Sequence, residues 1–196
     1  MNTDILSRNI MRKNLGAKPL TYPQPVFIIA TYGEDGTPDA MNAAWGGISE
    51  ETQISLCLSA GHKTVKNILK RRAFTVSMAD AAHIVSCDYV GIVSGNTTPD
   101  KFEKAGFHAV ESGFVDAPLI DELSVALECR LIDYNAETCI LRGEIVNVSV
   151  DERVLDNNGK VDPAKVSPVI FDPFNNTYLK VGEKVGNAFS DGRILK

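Results

Sequence analysis

Apolar positions along the chain fall into short runs separated by turn residues, and most runs carry strand character. Val26-Phe27-Ile28-Ile29-Ala30-Thr31-Tyr32 is β-rich and of strand length. It is entered through Pro19, Pro23 and Pro25, which end a basic, partly helical lead from Arg8 to Lys18. Gly33-Glu34-Asp35-Gly36 reads as a tight turn, and Thr37 to Asn42 as the returning partner of a hairpin. Gln53 to Ser59 is a third strand. Val65, Ile68 and Leu69 then recur at helical spacing within Thr64 to Lys70, and Phe74 to Met78 returns to strand.

From Ala81 to Gly106 the pattern is helical and interrupted. Ile84, Val85, Tyr89 and Val90 make one short apolar stripe, and Thr98-Pro99-Asp100-Lys101-Phe102 opens a second helix. Ser124 to Asp133 and Thr138 to Val150 read as a long hairpin turning at Tyr134-Asn135-Ala136-Glu137. Asn157-Asn158-Gly159, Pro163, Pro168 and Pro173 make the remainder loop-rich. Strands dominate both ends and helices cluster in the middle, so the strand–helix alternation of a parallel α/β sheet is missing. The pattern predicts a mainly β fold, a barrel with helical insertions.

At 196 residues the chain suits one domain with one core, with residues 1–20 as a lead and 151–196 as a loop-rich C-terminal extension. A net charge of -5 argues against nucleic acid or an anionic membrane surface as partner. Cys57, Cys87, Cys129 and Cys139 form neither a CxxC pair nor a cluster with histidine, so no metal site is expected. The N-terminus lacks a signal-peptide layout, and no apolar run approaches the roughly 20 residues that cross a bilayer. A reducing cytoplasm is the expected compartment.

Two segments stand out chemically. In Met41-Asn42-Ala43-Ala44-Trp45-Gly46-Gly47 small side chains would let backbone approach a flat ligand, and Asn42 offers a donor and an acceptor. The competing reading is a strand ending in a tight bend around a core tryptophan. In Ser59-Ala60-Gly61-His62-Lys63-Thr64 a helix begins, and free N–H groups at a helix start favour an anion. Lys63 opposes that helix dipole unless a phosphate or carboxylate lies between; the alternative is a surface turn with Thr64 as an ordinary cap. Leu56 occupies the position where a triphosphate-binding loop needs its first glycine, so that motif is excluded. Val93-Ser94-Gly95-Asn96 is a turn, and Lys101 is placed to present a second cation to the same ligand. His83 and His108 read as packing or solvated histidines, and no hydrolase motif occurs.

Taken in order, Met41 to Trp45, Cys57 to Thr64, Val93-Ser94-Gly95 with Asp100-Lys101-Phe102, Ala126 to Arg130, Gly143 to Val146 and Tyr178 to Gly182 resemble the flavin reductase-like FMN-binding split-barrel family, in its flavoredoxin branch. The resemblance runs from about Pro25 onward. It implies a six-stranded Greek-key barrel, a homodimer, and FMN near the subunit interface. It places Asn42, Ala43, Ala44 and Trp45 beside the isoalloxazine, with Cys57 and Ser59 on the neighbouring strand. Ala60, His62, Lys63 and Thr64 would surround the phosphate, with Ser94, Gly95, Lys101 and Tyr178 as further contacts.

Many reductases of that family carry Gly-Asp-His in the long hairpin, on the nicotinamide side, whereas here the stretch reads Asn135-Ala136-Glu137-Thr138-Cys139. No catalytic residue is therefore assigned. The resemblance implies an electron-passing flavoprotein, either a reductase fed by NADH or NADPH or a carrier fed by a redox protein. A flavin- or ligand-binding barrel without turnover is the alternative.

Overall fold

The computed structural model describes residues 11–196. Residues 1–10 of the expected lead lie outside the described residues, and the rest of it, residues 11–20, runs as irregular chain without a helix. The first hairpin joins β2 (Phe27–Tyr32) to β3 (Pro38–Ala43), following the two-residue β1 (Gln24–Pro25). Its turn holds Gly36 at φ +86°, and Asp35 Oδ1 accepts the Thr37 N–H at 3.0 Å. A second hairpin, β4 (Gly46–Glu50) and β5 (Gln53–Cys57), leads into α1 (Lys63–Arg71) and β6 (Ala73–Met78).

The helical excursion contains α2 (Ile84–Ile92) and the single-turn α3 (Lys101–Lys104), followed by a small hairpin of β7 (Ala109–Glu111) and β8 (Pro118–Ile120). The long hairpin is β9 (Val125–Asn135) and β10 (Ile140–Val150). Its turn is shifted by two residues from the expected one, because Asn135 Oδ1 accepts the N–H groups of Glu137 and Thr138 and so places the reversal at residues 136–139. Short α4 (Pro163–Val166), β11 (Val169–Asp172) and β12 (Thr177–Lys180) follow.

The main sheet has seven strands in the order β3-β2-β6-β9-β10-β5-β4, and every neighbouring pair is antiparallel. β3 and β4 occupy opposite edges, yet only Ala44 and Trp45 separate them in the chain. The three Cα steps from Ala43 to Gly46 reach at most roughly 11 Å. The sheet must therefore curl until its edges meet, which is a split barrel. Six strands were expected; the seventh arises because the break at Ala44-Trp45 divides one bent strand into β3 and β4. Gly46 is required just past the break, since a Cβ there would lie 2.6 Å from Leu56 Cδ2 and 2.7 Å from the Ser55 carbonyl oxygen.

Two buried clusters replace the single core expected. Ile29 joins Leu56, Ile68, Phe74, Leu127 and Leu141 in one. Its neighbours Ile28 and Ala30 join Cys87, Val90, Phe102, Phe107 and Ile120 in the other, on the side of α2 and α3. β2 is buried on both faces, which is why its sequence shows an apolar run rather than alternation. The expected stripe on α2 is also different: Cys87 and Val90 are buried, while Val85 is 81% exposed. The C-terminal region is less loop-rich than expected, because β11 pairs with both β1 and β12 in a separate three-stranded sheet. Strands of two to four residues are too short to display a period. No helix among the described residues is long and apolar enough to cross a membrane.

Candidate functional site

Where β3, the start of α1 and the loop after α2 converge there is a cleft of about 160 Å³. It brings together seven of the residues singled out from sequence: Asn42, His62, Lys63, Thr64, Ser94, Gly95 and Lys101. Met41 and the stretch Val90 to Val93 complete the wall. Val90, Gly91 and Ile92 were not legible as site residues, because it is only their position at the end of α2 that borders the cleft.

The α1 end of the cleft combines an uncapped helix start with a basic side chain. His62 occupies the N-cap position in extended geometry, makes no side-chain cap hydrogen bond, and no acidic residue lies in the first turn. The first N–H groups of the helix are left without a side-chain acceptor and carry the positive end of its dipole. Lys63 adds a full charge in that turn, and its ammonium makes no ion pair among the described residues. Thr64 is not the cap; its hydroxyl is buried and donates to Asp39 Oδ2 at 2.5 Å. The opposite wall is held by Asn96, whose Nδ2 donates to the Gly61 carbonyl at 3.0 Å while its Oδ1 accepts from Lys66 Nζ at 2.9 Å. Gly95 must be glycine for this wall to close, since a Cβ would lie 2.5 Å from Asp39 Oδ1 and 3.2 Å from Lys63 Cβ.

Beneath the cleft lies a buried ion pair. Lys101 Nζ is 3.5 Å from Asp39 Oδ1 and donates to the carbonyls of Val90 and Val93 at 3.2 Å each. Burial pulls the Lys101 ammonium below its usual range, and the adjacent Asp39 carboxylate pulls it back up. The second cation expected in the site is thus present but committed to the protein. Asp39 was missed by sequence reasoning; the one available signal was a carboxylate inside an otherwise apolar strand, Asp39-Ala40-Met41.

The other predicted residues lie outside the cleft. Ala43 and Ala44 are half-buried at the barrel seam, and Trp45 is 54% exposed there, so it is not a core tryptophan. Cys57 is half-buried beside it, its N–H donating to the Trp45 carbonyl at 2.8 Å. Ser59 and Ala60 are exposed in the loop leading to α1. Tyr178 lies on the far side of Asn42, in an apolar groove with Ile84, Val85, Tyr89 and Ile92, and its hydroxyl donates to Asp88 Oδ1 at 2.6 Å. Burial and then the Asp88 carboxylate push the Tyr178 phenol up to about 12. Asn42 is oriented by donating to the Cys87 carbonyl at 3.1 Å, with Gly91 packed against its Cβ.

The two histidines find carboxylates that sequence reading did not pair with them. His83 Nδ1 is 2.9 Å from Asp80 Oδ1, and His108 Nδ1 is 2.5 Å from Glu122 Oε1. Neither histidine lines the cleft.

The flavin reductase like domain family matches residues 20–170. Among solved structures, flavoredoxin of Desulfovibrio vulgaris (Miyazaki F) is 41% identical, with 93% of this chain and 100% of that chain covered and a TM-score of 0.88. Flavoredoxin from Methanosarcina acetivorans is 24% identical, covering 95% of this chain and 98% of that chain at a TM-score of 0.82. An FMN-binding domain of a flavin reductases-like enzyme from Shewanella baltica OS155 is 20% identical, covering 84% and 89% at a TM-score of 0.73. With the curled antiparallel sheet, these matches show that the chain belongs to the flavin reductase-like domain family, whose members take a flavin.

Proposed function

We propose that this protein binds FMN and passes electrons, with the FMN phosphate in the cleft at the start of α1. The observation that carries this reading is the uncapped α1 N-terminus with Lys63 in its first turn and no ion pair to its ammonium among the described residues. A phosphate there would accept from the first N–H groups of α1 and from Lys63 and Ser94, each contact being charge-assisted. Sites that enclose a whole small ligand run to about 300–1,000 Å³. A cleft of about 160 Å³ therefore suits the phosphate end alone. The ring would extend past Asn42 along Ala43, Ala44 and Trp45 toward Cys57. Trp45 and Ile48 are exposed there, which fits a homodimer whose second copy covers the flavin.

When bound, the flavin supplies the electron chemistry, and the protein binds, orients and shields it. The hairpin turn of β9 and β10 lacks the histidine that many reductases of the family carry there, and on that ground we favour a carrier of the flavoredoxin kind over an NADH- or NADPH-fed reductase. Four free thiols are in keeping with a reducing cytoplasm.

The purified protein should be yellow, or should take up FMN from solution with quenching of its fluorescence. A colourless protein that fails to bind added FMN overturns the reading. Anaerobic mixing then separates the two donors: slow bleaching with NADH and NADPH but rapid bleaching with a reduced redox protein supports the carrier, and the converse supports the reductase.

A further inference from the structure

Of the four cysteines, Cys87 and Cys129 are buried, and burial pushes both thiols up to about 12. Cys57 and Cys139 are half-buried; Cys57 ends β5, and Cys139 is the last residue of the turn that enters β10. Cys57 stands opposite Ile140 in the β5–β10 ladder, and Leu58 N–H donates to the Cys139 carbonyl at 2.8 Å, so the two cysteines are one rung apart on the diagonal. That offset separates their α-carbons by roughly 6 Å, inside the range of about 4.4–6.8 Å that a disulfide spans.

In a regular ladder, residues one rung apart point to opposite faces. Cys139 escapes that rule, because its φ of +60° is left-handed and takes it out of the pleat. The two segments are also joined by Tyr134, whose hydroxyl donates to the Leu58 carbonyl at 2.9 Å, while the Cys139 thiol lies 3.8 Å from the Ala136 carbonyl within the turn.

We propose that Cys57 and Cys139 are a reversible dithiol pair that oxidises to an intramolecular disulfide, tying the turn of the β9–β10 hairpin to the end of β5. A small-molecule disulfide of the glutathione type is the oxidant. The Cys57 thiolate attacks one of its sulfurs, forming a mixed disulfide and releasing one small thiol. The Cys139 thiolate then attacks the Cys57 sulfur, closing the bridge and releasing the second small thiol; the two protons lost by the cysteines end on the two thiols released. The bridge would form beside the barrel seam, because Cys57 is also hydrogen-bonded to Trp45.

The test is oxidation of the purified protein by oxidised glutathione, followed by acid quench, alkylation and mass mapping. The expected result is a monomer lighter by about 2 Da before alkylation, two alkyl groups fewer after it, one cross-linked peptide joining Cys57 to Cys139, and recovery of the original mass when a phosphine reductant is added before alkylation. C57S and C139S should each lose the cross-link and instead carry a glutathione adduct on the remaining partner. No mass change, a glutathione adduct alone in the unsubstituted protein, or a bridge involving Cys87 or Cys129 overturns the proposal. Mapping on the unsubstituted protein decides the matter even where a variant misfolds. The readout is covalent and needs no bound flavin, so its outcome is separate from that of the FMN reading.

Discussion

Lys101 Nζ lies 3.5 Å from Asp39 Oδ1, and both residues are almost wholly withdrawn from water. The same carboxylate accepts from Thr64 in α1, so one buried charge ties β3, α1 and α3 together directly under the cleft. Removing one member of such a pair strands the other, which typically costs about 3–5 kcal/mol, whereas replacing both with apolar groups costs much less. Asp39→Ala should therefore lower stability by an amount on that scale, and Asp39→Ala combined with Lys101→Met should recover much of it. Urea unfolding of the two variants checks this; equal losses would show that the pair is not coupled.

Lys63 sits on the opposite side of the same cleft with no protein partner for its ammonium among the described residues. Lys63→Ala should weaken FMN binding by about 1.5–3 kcal/mol, or roughly 10- to 150-fold, while leaving riboflavin affinity and folding stability nearly unchanged. Fluorescence titrations with the two flavins make the comparison. Equal losses for both would move the phosphate elsewhere.

Gly143 faces Phe74 inside the barrel, and a Cβ on it would lie 2.4 Å from Phe74 Cζ. Gly143→Ala should destabilise by about 1–3 kcal/mol through overpacking. Gly47→Ala, where nothing lies within 4 Å of the added carbon, should stay within roughly 0.5 kcal/mol. Thermal or denaturant midpoints of the pair test the contrast.

Asp172 in β11 accepts the Tyr22 hydroxyl, the Asn175 amide and the Phe174 N–H, and the first of these does most to hold its carboxyl down at about 2. A carboxyl lowered on folding stabilises above its ordinary value near 3.8, and that contribution disappears as pH falls toward about 2. Tyr22→Phe should flatten the loss of stability across this acid window, a difference visible in denaturant midpoints taken from pH 5 to pH 2. An unchanged slope would show that Tyr22 does not control Asp172.

Much of the fold was written in local pattern. The long hairpin, β2 with its turn, and α1 each rest on runs of nine or more residues or on explicit turn chemistry such as Asp35 and Gly36. What escaped were β1, β4, β7, β8, β11 and β12, strands of two to five residues whose existence depends on their partners. Val85 shows the same limit: its helical spacing matched a stripe, but the neighbouring β-sheet selected Cys87 and Val90 as the buried side of α2.

The site divides along the same line. The small residues before Trp45, the basic helix start at Lys63 and the absence of nucleophile or metal motifs were properties of contiguous sequence, because local backbone chemistry alone decides where a chain can approach a flat ligand or receive an anion. Tertiary structure decided which of those residues share one space. It closed the sheet at Ala44-Trp45, buried Lys101 against Asp39, aimed Thr64 inward, and set Tyr178 on the other side of Asn42. Those outcomes depend on long-range pairing and burial, which act between residues far apart in the chain and leave no period within it.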